Sequence, residues 1–231
     1  MREVLARGLP QLGVVPEAMA PLEQFAGLLL EKNQVMNLTA ITEPREVAAL
    51  HFLDSLSLLP LADFAGARVV DVGSGAGFPG IPLAIARPAA EFTLLDSLGK
   101  RVDFLRDSCR ALGLGNVTCV HSRAEEFAAE HRERYDLAVS RAVAALPVLA
   151  ELCLPLVAVG GQFIAMKSVD SQAELDAAQG AIALLGGRLE RTVDYTVPTT
   201  DIVHRAVCIR KASPTPRRYP RRFAQIKKQP L

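Results

Sequence analysis

From residue 68 onward, short β-rich runs alternate with amphipathic helical stretches, and this alternation limits the possible folds more than any other feature. Parallel strands need a crossover connection of a dozen or more residues, which the helical stretches provide. The pattern predicts the α/β class, with a doubly wound, mostly parallel sheet. The predicted strands are residues 68–72, 92–96, 117–121, 137–140 and 163–167, and the predicted helices are residues 80–87, 101–112, 124–131, 147–157 and 172–185.

The C-terminal part of the chain breaks this alternation. Two strand-like runs, 189–197 and 203–210, are joined only by Pro198-Thr199-Thr200-Asp201. Because this link is too short for a crossover helix, the two runs should form an antiparallel pair.

The chain before residue 68 has helical rather than strand periodicity. Residues 16–35 have apolar side chains mainly at three- and four-residue spacing, which predicts an amphipathic helix. A second helix is predicted at 44–59, with Thr42 as its cap and Pro44 in its first turn. We therefore divide the chain into an N-terminal helical cap (1–62), an α/β domain (63–210) and a basic tail (211–231). The apolar stripes are Leu22, Phe25, Leu28, Leu29 and Val35 in the first helix, and Val47, Leu50, Leu53, Leu56 and Leu58 in the second.

Composition excludes several classes of protein. The 231 residues suffice for one main core, and no apolar run approaches membrane-spanning length, so we expect a cytoplasmic protein, most simply a monomer. His51 and Asp54 lie three residues apart, but without a third ligand we expect a helix-surface hydrogen bond and no metal site. The four cysteines have no Cys-x-x-Cys spacing, which favours reduced thiols in a core; they are Cys109, Cys119, Cys153 and Cys208.

Charge is distributed unevenly along the chain. Residues 1–201 carry 17 Lys or Arg against 25 Asp or Glu, whereas nine Lys or Arg and no acid follow Asp201. The last 21 residues combine seven of these cations with four prolines, Tyr219 and Phe223. Such a tail should resist packing and suits a polyanion such as RNA, although a disordered solubilising tail is the simpler alternative.

A glycine-rich loop follows the first predicted strand and opens a helix, an arrangement typical of nucleotide cofactor sites. Read from Gly75, it matches the dinucleotide pattern G-x-G-x-x-G, with Asp96 about twenty residues further on. Read from Gly73, which directly follows the strand, it is G-x-G-x-G after the acidic Asp71. The second frame fits the strand end better, but the glycines alone leave both cofactors possible.

Longer segments resemble one family closely. The acidic G-x-G-x-G loop, Asp96 and the terminal antiparallel pair resemble the class I S-adenosylmethionine-dependent methyltransferases. Asn37-Leu38-Thr39-Ala40-Ile41, the segment 51–56, the loop 71–82 and the segment 95–101 are similar to the RsmG (GidB) family. This resemblance implies methylation of a guanine N7 in 16S ribosomal RNA. Two positions differ: Leu50 replaces a frequent basic residue, and Phe223-Ala224 replaces a frequent Pro-Gly.

The resemblance also implies site residues. Asp96 would accept hydrogen bonds from the ribose hydroxyls of S-adenosylmethionine. The alternative role for Asp96 is to cap the next helix, which Ser97 could also do. Phe78 would line the methionine side or serve as a core aromatic. The complete implied cofactor set is Gly73, Gly75, Gly77, Phe78, Asp96, Ser97, Leu98, Ala124, Glu125 and Arg141, with Ala124 and Glu125 on the adenine side and Arg141 facing the methyl group.

The fourth strand lacks the Asn/Asp-Pro-Pro-aromatic segment of enzymes that methylate exocyclic amines, since it ends Ser140-Arg141-Ala142-Val143. Carbon methylation would call for an activating cysteine, and Cys153 lies in an apolar run. Guanine N7 has an exposed lone pair, so we assign no general base and expect catalysis by positioning. The predicted RNA contacts are Lys100, Arg101, Arg123 and Lys167 at strand ends, and Arg217, Arg218, Arg221 and Arg222 in the tail.

Two other functions remain open on the sequence. The frame read from Gly75 allows a nicotinamide- or flavin-dinucleotide oxidoreductase, although no substrate domain follows the fifth strand. A noncatalytic RNA-binding protein that retains the cofactor loop is the other alternative.

Overall fold

The computed structural model describes residues 1–141 and 144–231, so Ala142 and Val143 of the predicted strand-end segment lie outside the described residues. Its central feature is one sheet of seven strands. In chain order they are β1 (Arg68–Val72), β2 (Glu91–Asp96), β3 (Val117–His121), β4 (Tyr135–Arg141), β5 (Val157–Ser168), β6 (Gly187–Thr196) and β7 (Val203–Lys211).

The strands lie in the order β3-β2-β1-β4-β5-β7-β6. The pairs among β1 to β5 are parallel, whereas β7 pairs antiparallel with both β5 and β6. The predicted fold class and the antiparallel C-terminal pair are thus confirmed. The direction of winding reverses between β1 and β4, and the crevice at the carboxyl ends of these two strands is where open α/β sheets bind ligands.

Each parallel crossover contains a helix, as predicted. β5 begins six residues before its predicted start, because Gly160 and Gly161 interrupt the apolar pattern of its first half. The helices after β1 are Gly80–Ala86, Gly99–Ala111, Ala124–Glu130, Leu146–Cys153, Gln172–Leu184 and Phe223–Lys228.

The N-terminal region is helical, with two differences from prediction. A helix at Arg2–Gly8, not predicted, packs its last residue directly against Leu53, where any Cβ on Gly8 would clash. The second predicted helix spans 44–56. Its N-cap residue is Glu43, whose carboxylate accepts a hydrogen bond from the Arg45 N–H at 3.2 Å. The predicted cap at Thr42 is wrong, because Glu43 is the residue that has the extended cap conformation.

The helical cap and the sheet share one apolar core. Phe25, from the helix Met19–Met36, is fully buried against Phe52, Phe78 and Phe104 at ring-centroid distances of 5.8, 5.6 and 6.4 Å. Because these rings come from the cap, the glycine loop and the helix after β2, the cap holds the site loop in place. A second core, on the opposite face of the sheet, includes Leu149 and Phe163.

The C-terminal tail packs on this second core, so the prediction that it resists packing is wrong. Tyr219 and Ile226 are buried. The Arg221 guanidinium lies 2.6 Å from the carboxylate of fully buried Glu151. The composition of the tail gave no sign of the Arg221 anchor, because its partner Glu151 lies 70 residues away in the sequence.

Candidate functional site

The glycine loop lies at the winding reversal, directly after β1. Gly73, Gly75 and Gly77 have φ of 76°, 58° and 100°, the left-handed region that favours glycine. At Gly77 a Cβ would lie 2.7 Å from Ile81 Cδ1 and 3.1 Å from Phe25 Cζ. The loop therefore needs glycine here both for its backbone shape and for its packing against the cap.

Asp71, the acid before the loop, points into the protein rather than into a cavity. Its Oδ2 accepts from the Gly80 N–H at 2.9 Å, while its buried Oδ1 has no partner among the described residues. Burial raises the pKa of Asp71 to about 7, partly offset by the Gly80 hydrogen bond. Asp71 thus anchors the start of the helix that follows the loop.

Asp96, at the end of β2, lies between two adjoining cavities and contributes to the lining of both. Its Oδ2 accepts from the Gly75 N–H and its Oδ1 from the Leu98 N–H, each at 2.9 Å. Each oxygen retains acceptor capacity, because a carboxylate oxygen has two lone pairs. The alternative role as a helix cap is not realised: neither Asp96 nor Ser97 caps the next helix, whose N-cap is Leu98.

The first cavity has a volume of about 360 Å³ and lies between the glycine loop and the helical cap. Gly73, Gly75, Phe78, Asp96, Ser97 and Arg141, six of the predicted cofactor residues, line it. The cap contributes Leu38, Thr39 and His51.

The second cavity has a volume of about 240 Å³ and lies between the ends of β2 and β3. Ala124 and Glu125, which the resemblance assigns to the adenine side, line it together with Asp96 and Ser97. Phe223, from the tail, is also in its wall, with the Arg123 guanidinium 5.1 Å from the ring centroid. Gly77 and Leu98 line neither cavity.

A buried polar network joins the helical cap to the first cavity. Asp54 is 2 % exposed and accepts from Tyr195 Oη at 2.8 Å, His204 Nδ1 at 2.8 Å and Arg141 Nη1 at 3.3 Å. Arg141 also lies 3.2 Å from His51 Nδ1. The prediction that His51 and Asp54 form a hydrogen bond on the helix surface is therefore wrong, because both side chains are buried. Sequence spacing gave no local signal for Tyr195 and His204, which reach this network from β6 and β7.

The network shifts the pKa of its histidines in opposite directions. Burial, followed by the positive charge of Arg141, lowers the pKa of His51 to about 4. The hydrogen bond to Asp54 raises the pKa of His204. His51 is therefore neutral near pH 7. Its ring stacks on the Phe78 ring beside the cavity, with the ring centroids 4.4 Å apart.

The predicted RNA-contacting cations fall into two groups. Lys100, Arg123 and the tail residues Arg217, Arg218 and Arg222 are exposed, and Arg101 is half-exposed at the rim of the first cavity. Lys167 instead donates to the carbonyl of Ala144 and to Glu174, each at 2.7 Å, and Arg221 is paired with Glu151. These two side chains are poorly placed for phosphate, because their cationic ends are already engaged.

Among the described residues, no group of three or more His, Cys, Asp or Glu side chains is arranged to hold a metal ion. Within residues 1–141 and 144–231, no helix combines the length and the apolar character needed to cross a bilayer. Cys109, Cys153 and Cys208 are buried thiols, and the half-buried Cys119 lies 3.9 Å from Cys109, sulfur to sulfur.

Comparison with solved structures defines the class. The chain is similar to MtNAS solved in complex with S-adenosylmethionine, with a TM-score of 0.57 and 20 % identity over 81 % of this chain and 73 % of that one. It is also similar to the pyocyanin biosynthetic protein PhzM, with a TM-score of 0.56 and 19 % identity over 73 % and 56 % of the two chains. The fold is that of the class I S-adenosylmethionine-dependent methyltransferases.

Sequence comparison narrows this class to one family. A family model described as rRNA small subunit methyltransferase G, GidB, matches residues 18–203. Curated proteins named ribosomal RNA small subunit methyltransferase G are 46 % identical in Alkaliphilus metalliredigens, over 99 % of this chain and 98 % of the relative, and 48 % identical in Halalkalibacterium halodurans, over 93 % and 92 %. The chain belongs to the GidB family.

Proposed function

We propose that this protein transfers a methyl group from S-adenosylmethionine to the N7 atom of a guanine in small-subunit ribosomal RNA. The observation that carries the proposal is the position of Asp96, whose two oxygens retain free lone pairs at the junction of two cavities. A nucleoside joined to an amino acid needs this arrangement, with the ribose between two separate binding spaces.

The described residues fit the cofactor. Asp96 would accept hydrogen bonds from the two ribose hydroxyls, while Ala124, Glu125 and Phe223 would surround the adenine. Gly73, Gly75, Phe78 and Arg141 would enclose the methionine end. When bound, S-adenosylmethionine supplies a methyl group on a positively charged sulfur.

The lack of a free imidazole in the described lining of the first cavity supports guanine N7 as the atom that accepts the methyl group. His51 is the imidazole in the described lining, and both of its ring nitrogens are engaged, with Arg141 and with Thr39. It is therefore not available as a general base. The N7 lone pair needs no base, because no proton leaves the nucleophile, so this site needs only to align N7 with the methyl group.

The RNA would approach over the rim formed by Lys100, Arg101 and Arg123, with Arg217, Arg218 and Arg222 as further phosphate contacts from the tail. We propose that the protein acts as a monomer, in which residues of a single chain line both cavities. The ribosomal RNA target in the names of the relatives supports a cytoplasmic location.

Methyl transfer tests the proposal directly. The purified protein is incubated with labelled S-adenosylmethionine and small ribosomal subunits from cells that lack this methylation, and the nucleosides are separated. We expect label in N7-methylguanosine, reduced about 100-fold or more by D96A because two charge-assisted hydrogen bonds are lost. D103A, which removes an exposed carboxylate from the helix after β2, is the matched control.

Two outcomes would overturn the proposal. One is the absence of label in guanosine, and the other is a protein whose melting temperature rises with NAD but not with S-adenosylhomocysteine. The second outcome would favour the oxidoreductase alternative.

A further inference from the structure

Thr39 and His51 line the first cavity, yet the proposed function assigns neither side chain a task. Asn33 holds the Thr39 backbone on both sides: its Oδ1 accepts from the Thr39 N–H, and its Nδ2 donates to the Thr39 carbonyl, each at 2.9 Å. Asn33, in the helix Met19–Met36, therefore fixes the backbone of Thr39 at the wall of the cavity.

The direction of each hydrogen bond in this part of the network follows from chemistry. A guanidinium only donates, so Arg141 Nη2 must donate to His51 Nδ1, 3.2 Å away. Because His51 is neutral, its single ring proton is then on Nε2. Nε2 lies 2.7 Å from Thr39 Oγ1 and must donate to it.

The Thr39 oxygen accepts a second hydrogen bond, from the Ile41 N–H at 3.0 Å. A hydroxyl has two acceptor lone pairs and one proton. With both lone pairs occupied, the Thr39 hydroxyl can only donate its proton, and Thr39 is one of the residues that line the first cavity. A threonine without these partners could either donate or accept.

Guanine and adenine differ in the group next to N7. Guanine presents the O6 acceptor there, whereas adenine presents the N6 amino donor. We propose that the Thr39 hydroxyl, held as a donor by His51 and Ile41, bonds the O6 atom of the target base and so selects guanine over adenine. A donor-only hydroxyl would face the adenine amino group proton to proton. This inference rests on the proposed function and assigns its base specificity.

The test compares T39V, which keeps the shape and removes the hydroxyl, with T39S, which keeps the hydroxyl. Each is assayed for methyl transfer to small subunits carrying the target guanine and to reconstituted subunits with adenine at that position. We expect T39V to lower kcat/KM for guanine about 10-fold to 100-fold, the loss typical of one buried hydrogen bond, without lowering the rate on adenine. T39S should restore most of the activity on guanine.

Affinity for S-adenosylhomocysteine, measured on the same variants by calorimetry, serves as the folding control and should not change. The inference is overturned if T39V methylates guanine as fast as the unmodified protein. It is also overturned if T39V loses activity and S-adenosylhomocysteine affinity by the same factor, because the hydroxyl would then serve the cofactor. If the unmodified protein transfers no methyl group to guanine, the proposed function itself fails.

Discussion

Asp71 makes the stability of this protein depend on pH in a direction opposite to that of an ordinary carboxylate. The side chain is fully buried, one oxygen has no described partner, and burial raises its pKa from 3.8 to about 7. Between these values the folded protein keeps a proton that the unfolded chain has released. Stability from this group is therefore complete below pH 3.8 and is lost as the pH rises to about 7.

The change D71N replaces the carboxyl group by a neutral amide of the same shape, which can still accept from the Gly80 N–H. Below about pH 3.8 the two proteins should be similar in stability, because Asp71 is then protonated in both the folded and the unfolded state. Three pKa units correspond to about 4 kcal/mol, of which about 3 kcal/mol appears between pH 5 and pH 8.5. The stability of D71N relative to the unmodified protein should therefore rise by about 3 kcal/mol between pH 5 and pH 8.5.

Urea unfolding at half-unit steps from pH 5 to pH 8.5, with D71N and the unmodified protein side by side, measures this difference. Taking the difference cancels the contributions of His51 and His204, which titrate in both proteins. D103N, at an exposed carboxylate, is the control and should give a difference that does not vary with pH. A flat difference for D71N would refute the assignment of a protonated, buried Asp71.

Three further changes test the packing of the fold by urea unfolding. F25A should lower the free energy of unfolding by about 3–5 kcal/mol, because this ring joins the cap to the loop; a loss below 1 kcal/mol would contradict the shared core. G27A, in the helix Met19–Met36 with open space around the new Cβ, should raise it by about 0.5–1 kcal/mol, and any loss would count against that geometry. R221A should lower it by about 3–5 kcal/mol because buried Glu151 loses its counter-charge and keeps only the hydrogen bond from the backbone N–H at position 221, and the double change to E151L and R221M should recover most of this loss. If the tail were not docked, R221A and the double variant would have the same free energy of unfolding as the unmodified protein.

Most of the fold could be predicted from local patterns. Strands β1 and β3 have the predicted bounds, and the short link after Val197 correctly indicated antiparallel pairing. The N-cap residue of the second helix and the start of β5 were less predictable. Glu43 rather than Thr42 caps the second helix, and β5 starts before two glycines that weaken its apolar pattern. Such details depend on competition between adjacent residues, which periodicity does not resolve.

For the candidate site, sequence and resemblance together indicated Gly73, Asp96 and Glu125, which do line the two cavities. Their positions follow from strand ends, and strand ends in a parallel sheet meet at one edge. Sequence reasoning did not find Phe223 in the cavity wall, because a proline-rich cationic tail suggests disorder unless its buried contacts are known.

The sequence alone determined the α/β class, the cofactor loop and the carboxylate at the end of β2, since each depends on residues close together in the chain. Tertiary structure alone decided that the tail docks on Glu151, that Lys167 is engaged, and that Asp54 is surrounded by Arg141, Tyr195 and His204. The physical reason is that the hydrogen-bonding role of a polar side chain depends on partners brought together by folding. Thr39 illustrates this: its sequence position shows only a hydroxyl, whereas its neighbours His51 and Ile41 make that hydroxyl a donor.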